Sequence, residues 1–266
     1  MAPEPDKIRE IQAKTILTPQ NFGSLSGWYD FTLNPYAGCA FRCSYCYVPK
    51  FPGEHSPDEW GSWVNVKINA PDLIRRDRLK VFGSRIFFSS ATDPYQYLEL
   101  KYRLTRRCLQ ELLRYQPRQV TMHTRSHLIL QDVDLLKAFG SALEVGVSIT
   151  TDREDVRSEF EPGAPSIAQR IKVLRTLHDN NIKNYASLSP LLPCDPERLA
   201  GLLKPYVDKV WTQNINWTDV MQRPHLLEKY KDWFDERRHE AARCYIKSKF
   251  QDQSVSRPPE PSAKPR

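Results

Sequence analysis

Three cysteines, Cys39, Cys43 and Cys46, fall within eight residues with the spacing C-x3-C-x2-C. They follow a strand-like run, Trp28–Tyr36. Three thiolates on one short loop can hold three corners of a cubane iron–sulfur cluster, for which cysteine thiolates are the usual ligands. No fourth cysteine is near, since the others are Cys108, Cys194 and Cys244. One iron of such a cluster keeps an open coordination position, where chemistry can happen. Structural zinc is the competing reading. Zinc takes four Cys or His ligands, typically as two close pairs. Here no second pair follows, and only His55, nine residues on, offers a fourth ligand.

The rest of the chain must position this loop. Five further β-rich runs succeed it: Arg85–Ser90, Arg118–Thr124, Ala142–Thr150, Asn184–Ser189 and Asp208–Asn214. Helical patterns alternate with them over Pro71–Phe82, Leu98–Tyr115, Gln131–Phe139, Ser166–Asn181 and Asp195–Val207. The fourth of these is well marked. Ser166 suits an N-cap, and Ile167, Ile171, Leu174 and Leu177 recur at helical spacing. Repeated strand–helix units imply right-handed crossovers and a parallel sheet. Six units suit a partial α/β barrel or a doubly wound sheet, and in both, function gathers at the C-terminal strand ends. Residues 51–68 read as an irregular insertion, and Pro224–Phe250 as a charged helical segment. The tail from Gln251, with four prolines among Ser and Lys, reads as disordered.

Composition narrows the class. The chain has 266 residues, 40% of them hydrophobic, enough for one large core. No run of 18 apolar residues is present, so no membrane span is expected. The N-terminus lacks the apolar stretch of a secretory signal. Clustered and scattered cysteines do not make a disulfide framework, which points to a reducing, cytoplasmic compartment. The net charge of +7 permits nucleic-acid binding without requiring it. Trp60, Trp63, Arg75, Arg76, Arg78 and Lys80 interleave aromatic and cationic residues after the cysteine loop, a pattern seen both in nucleic-acid surfaces and in ordinary basic helices.

The loop Gly38–Tyr47, with Tyr45 immediately before Cys46, resembles the signature of radical S-adenosylmethionine (SAM) enzymes. Four further segments, Ser89–Gln96, His123–Ser126, Val145–Thr151 and Phe160–Ser166, are similar to the spore photoproduct lyase-like branch, many of whose members are labelled DNA repair photolyase. The similarity spans roughly residues 28–195. It implies an α/β fold, a partial (β/α)6 TIM-type barrel with a C-terminal helical extension. The chain then divides into a lead-in (1–27), a radical SAM core (28–215), a helical segment (216–250) and the tail (251–266). It implies an enzyme in which a [4Fe–4S] cluster on Cys39, Cys43 and Cys46 reductively cleaves SAM to a 5′-deoxyadenosyl radical. The electron would come from a donor such as flavodoxin or ferredoxin.

SAM presents a ribose diol, a carboxylate, an ammonium and an adenine, all needing polar partners. The strand ends offer Ser90, Thr92 and Asp93 for the ammonium or ribose, and Arg125 and Ser126 for the carboxylate. Ser148 and Thr150 alternate on the fourth strand and share a face; in this branch a serine there contacts the ribose. Tyr95, Tyr97 and Cys194 are the candidates for a radical step, although aromatic core packing explains the tyrosines equally. Glu161, in Glu161-Pro-Gly163, has a polar role at the barrel mouth or none beyond the turn. Spore photoproduct lyase keeps a cysteine hydrogen donor on the segment matching Ser89–Asp93, and Ser90 stands at that position here. The substrate is therefore open between nucleic acid and a small metabolite or peptide. A non-catalytic iron–sulfur or zinc redox protein is the alternative outside the enzyme class.

Overall fold

Six parallel strands form the frame of the molecule, seen here in a computed structural model that describes residues 5–51, 56–213 and 221–250. In chain order the strands are β1 (Lys7–Ile11), β2 (Leu17–Pro19), β3 (Phe31–Leu33), β4 (Tyr36–Ala37), β5 (Trp63–Lys67), β6 (Arg85–Phe88), β7 (Gln119–Thr124), β8 (Leu143–Ser148), β9 (Asn184–Ser187) and β10 (Val210–Trp211). The main sheet runs β10-β9-β8-β7-β6-β3-β2. Pairing is parallel from β3 to β10, and β2 closes the edge antiparallel to β3. This is the expected partial (β/α)6 barrel.

The helices are α1 (Ala70–Arg76), α2 (Arg78–Val81), α3 (Glu99–Tyr102), α4 (Leu104–Tyr115), α5 (Val133–Ala138), α6 (Glu154–Phe160), α7 (Ile167–Asp179), α8 (Pro196–Leu203), α9 (Pro224–Lys229) and α10 (Glu236–Ser248). The predicted cap of α7 is present as a full capping box between Ser166 and Gln169. Strand alternation separates two faces. Ile86, Phe88, Val120, Met122, Val145 and Val147 enter the main apolar core. The alternate residues Phe87, His123 and Tyr185 touch one another edge to face on the other side.

Several boundaries differ from the sequence expectation. Residues 51–68 are not irregular throughout, because Trp63–Lys67 forms β5. It pairs parallel with β1 and antiparallel with β4, building a second, three-stranded sheet. Val64 and Val66 are fully buried there. The predicted helix Leu98–Tyr115 breaks at Arg103, which adopts a left-handed conformation (φ 47°). The break follows from side-chain capture: the buried Glu99 carboxylate accepts Thr105 N–H (2.8 Å), while Arg103 turns to Asp132 (3.0 Å). Helix α6 went unrecognised in the sequence. His55 and the tail from Gln251 lie outside the described residues. No helix among the described residues is long and apolar enough to cross a membrane.

Candidate active site

The cysteine loop begins where β4 ends. Gly38 takes a positive φ of 85°, and a Cβ there would lie 2.4 Å from the Trp63 carbonyl oxygen, so a side chain cannot be accommodated. Distant segments then grip the loop backbone. Thr92 Oγ1 donates to Gly38 O (2.6 Å), and Gln96 Oε1 accepts Ala40 N–H (3.1 Å) while its amide nitrogen donates to Thr92 Oγ1 (3.1 Å). Ser44 N–H donates to Phe160 O (2.8 Å) and Gly163 N–H to Phe41 O (3.1 Å). From the C-terminal segment, Gln222 donates its backbone N–H to Ser44 O (2.7 Å) and its side chain to Cys46 O (2.8 Å). Gln222 carried no sequence signal, and Gln96 only closed the Ser89–Gln96 segment, with no role assigned. An isolated glutamine is uninformative until the fold brings it to a carbonyl.

Cys39 and Cys43 are buried and Cys46 is half-buried. Burial raises all three thiols, Cys43 to about 11 and Cys46 to about 12. They also sense one another: ionising Cys43 raises both Cys39 and Cys46. The Arg125 guanidinium works the other way, favouring the thiolates of Cys43 and Cys46. Among the described residues, no three His, Cys, Asp or Glu side chains are grouped as a single metal ion would need. A cubane spreads its thiolates over separate irons, and a cation beside them offsets their charge.

The strand ends carry the other candidates. Asp93 is buried and spends both oxygens on the protein. It accepts Thr124 Oγ1–H (2.7 Å), Tyr95 N–H (3.0 Å) and Arg125 N–H (2.9 Å), and so ties the ends of β6 and β7 together. Burial raises its carboxyl, with Arg125 opposing. Ser126 caps the short turn after β7 by accepting Leu128 N–H (3.2 Å). Ser90 Oγ accepts the Asn34 amide (3.3 Å), and the Tyr47 hydroxyl donates to Ser90 O. Ser148 ends β8 with its hydroxyl unpaired among the described residues, and its carbonyl accepts Arg170 (3.1 Å). Tyr95 is buried and donates to Asp132 (3.1 Å). Tyr97 packs edge to face on Phe41. Cys194 is half-buried, its thiol raised first by burial and then by Asp152 and Asp195.

Glu161 gathers the site. It is fully buried directly after α6 and accepts from the Tyr45 hydroxyl and from Thr150 Oγ1 (3.1 Å). Arg170, equally buried, pairs with it at 2.5 Å, and Arg125 Nε lies 3.5 Å away. Despite its burial the carboxyl is held down at about 2, chiefly by Arg170 and Arg125. Among the described residues Arg125 Nη2 reaches only the Tyr45 hydroxyl (3.2 Å). Its guanidinium is thus fixed along one edge and half-employed along the other.

Residues 33–203 match the sequence family described as the radical SAM superfamily. The chain belongs to the radical SAM superfamily. It is 34% identical over 84% of its length to the uncharacterized protein MJ0683 of Methanocaldococcus jannaschii, covering 83% of that protein. It is 30% identical to the uncharacterized protein ORF301 of Acidianus two-tailed virus, over 63% of this chain and 56% of that one. Its fold is that of spore photoproduct lyase. The structure of that enzyme with a dinucleoside spore photoproduct superposes with a TM-score of 0.62 at 15% identity, over 91% of this chain and 79% of that one. The radical SAM methyltransferase TsrM of Kitasatospora setae follows at 0.51 and 14%, over 74% and 38%.

The superfamily implies an enzyme that uses SAM and an iron–sulfur cluster and needs a reductant. The residues present fit that pair. Two buried thiols and one half-buried thiol share a loop beside a cation, and among the described residues a guanidinium edge and a strand-end hydroxyl are left without partners.

Proposed function

We propose that this radical SAM enzyme holds a [4Fe–4S] cluster on Cys39, Cys43 and Cys46 and acts on nucleic acid. When bound, the reduced cluster and SAM together supply an organic radical that abstracts hydrogen from the substrate. The protein's share is placement and exclusion of water. Arg125 offers its free guanidinium edge to the SAM carboxylate, a charge-assisted pairing suited to arginine. Ser148 Oγ, unpaired among the described residues at the end of β8, is available to a ribose hydroxyl. Thr92 and Asp93 act one step back, holding the loop and the strand ends. The observation that carries the reading is the half-employed Arg125 beside three thiols of one short loop.

The surface argument for nucleic acid moves from its first location. Trp60 is buried and Trp63 half-buried, so neither is a stacking platform. Arg75, Arg76 and Lys80 are paired with Glu111, Asp72 and Asp77. Exposed aromatics instead follow the last cluster cysteine: Tyr47 and Phe51 meet edge to face and flank Lys50. Aromatics with an interleaved cation suit unstacked bases and their phosphates.

Anaerobic reconstitution followed by dithionite and SAM tests the chemistry: 5′-deoxyadenosine should accumulate. A Cys43→Ala protein should lose the brown cluster absorption and the product together. Loaded protein that never forms 5′-deoxyadenosine would refute the reading. Binding to single-stranded DNA should weaken with salt, and a log–log slope near zero would remove the phosphate contacts.

A further inference from the structure

We infer that Glu161 is a positioning residue that couples the cluster loop to Arg125, holding the guanidinium where the SAM carboxylate meets it. This rests on Arg125 being the carboxylate's partner. Four side chains converge on the one buried carboxylate: Tyr45 from the cysteine loop, Arg125 beyond β7, Thr150 beyond β8 and Arg170 from α7. Neutralising a buried carboxylate takes one arginine, and Arg170 supplies it. Arg170 is fully buried at 2.5 Å, and its remaining nitrogens are spent on Ser148 O (3.1 Å) and Pro165 O (3.0 Å).

Arg125 is then surplus to the neutralisation. It stands at 3.5 Å, its side chain is 19% exposed, and its only side-chain hydrogen bond among the described residues is to Tyr45 Oη. One edge is held by the carboxylate and the phenol, and Nη1 has no partner among the described residues. Such an arrangement aims a cation rather than consuming it. The same carboxylate holds Tyr45, which stands between Cys43 and Cys46, so the cluster loop and the guanidinium share one reference point. The backbone reinforces this. Gly163 packs on Ala40 and Phe41, and Phe160 O accepts Ser44 N–H, so the turn bearing Glu161 is fastened to the loop at both ends.

The test is a double-mutant cycle on anaerobically reconstituted full-length protein. SAM affinity is read by equilibrium dialysis without reductant, with iron content and melting temperature alongside. Glu161→Gln should load iron like the parent but bind SAM about tenfold more weakly, within the usual range for directly coupled residues. Arg125→Gln should weaken SAM by a similar or larger factor. The double variant should bind no worse than Arg125→Gln alone, because a guanidinium that is absent cannot be misplaced. Additive losses, or unchanged SAM affinity in Glu161→Gln, would overturn the inference.

If Glu161→Gln leaves Arg170 unpaired and fails to fold, Tyr45→Phe decides instead. It removes only the bridging hydroxyl and keeps the ring. It too should weaken SAM non-additively with Arg125→Gln, and an unchanged affinity overturns the coupling. Arg125→Gln binding SAM as the parent does would sink the carboxylate assignment itself, a result distinct from additivity.

Discussion

Replacing Gly163 by alanine should damage the cluster site from outside it. A Cβ built on Gly163 lies 2.5 Å from Ala40 O and 2.9 Å from Phe41 Cα, both backbone atoms of the cysteine loop. Neither can swing aside as a flexible side chain would. The loop cannot drift as a unit either, since three separate segments hold it, through Thr92 and Gln96, through Phe160 and through Gln222. Overpacking of this kind costs about 1–3 kcal/mol. For a chain of this size that lowers the melting temperature by roughly 2–4 °C per kcal/mol. Ala40 and Phe41 lie between Cys39 and Cys43, so the displacement is transmitted directly to two thiols. Iron and acid-labile sulfide per chain after reconstitution should fall well below the parent. Gly201→Ala is the control: it sits within α8 with nothing within 4 Å of the added methyl, and should be neutral or stabilising by up to about 1 kcal/mol. If Gly163→Ala melts and loads iron as the parent does, the packing argument is wrong.

Asp132 is fully buried and binds Arg106 (2.8 Å), Arg103 (3.0 Å) and the Tyr95 hydroxyl, so Asp132→Ala should cost about 3 kcal/mol in denaturant unfolding. Tyr95→Phe should cost only about 1 kcal/mol and leave 5′-deoxyadenosine formation intact, whereas loss of that product would return Tyr95 to the chemistry. The Glu161 carboxyl is depressed from 4.5 to about 2, so its stabilisation of about 3 kcal/mol is complete above pH 4.5 and fades as the pH falls towards 2. The gap in denaturation midpoint between the parent and Glu161→Gln should close over that window, and a gap independent of pH would contradict the charge assignment. The cluster thiols are protonated near neutrality, with Cys43 at about 11 and Cys46 at about 12, so loading must release protons. Cluster affinity measured against a competing chelator should rise from pH 7 to pH 9, and a flat profile would refute the burial argument.

The alternation of apolar strands with amphipathic helices was legible because both faces of a parallel strand are covered. β8 is buried at every position, and its valines and leucine carry the apolar signal although Glu144 and Ser148 interrupt it. The cysteine spacing was legible because one short loop must present three thiolates. Other features depend on contacts that no local pattern encodes. Trp63–Lys67 alternates in burial, but a five-residue strand among prolines declares itself only once β1 pairs with it. The break at Arg103 required Glu99 and Asp132 to be buried nearby. Asp93 reads as a ligand-facing acid, and its surroundings show a brace between two strand ends. Glu161 was visible as an unusual residue for a turn, but its partners come from residues 45, 125, 150 and 170.

The end of β6 bears on what the radical chemistry is for. The Ser90 hydroxyl is engaged by Asn34 while its carbonyl takes the Tyr47 hydroxyl. Ser89 beside it adopts a left-handed backbone (φ 67°), and its hydroxyl is buried without a partner among the described residues. A non-glycine residue held there is strained, and such strain persists where the surroundings over-determine it, often at a functional site. Neither serine can surrender a hydrogen atom as a thiol does. Of the other cysteines, Cys108 is buried in α4, Cys244 is exposed on α10, and Cys194 follows β9 with its thiol raised by burial and by Asp152 and Asp195. The strand end has the fold of spore photoproduct lyase and carries two serines and no cysteine. For a nucleic-acid substrate bound through Tyr47 and Phe51, the expected outcome is a final step that differs from thiol-dependent dimer repair. Deuterium tracing from labelled substrate and from solvent into the product separates the two: solvent deuterium delivered through an exchangeable thiol should appear only if Ser90→Cys restores that donor.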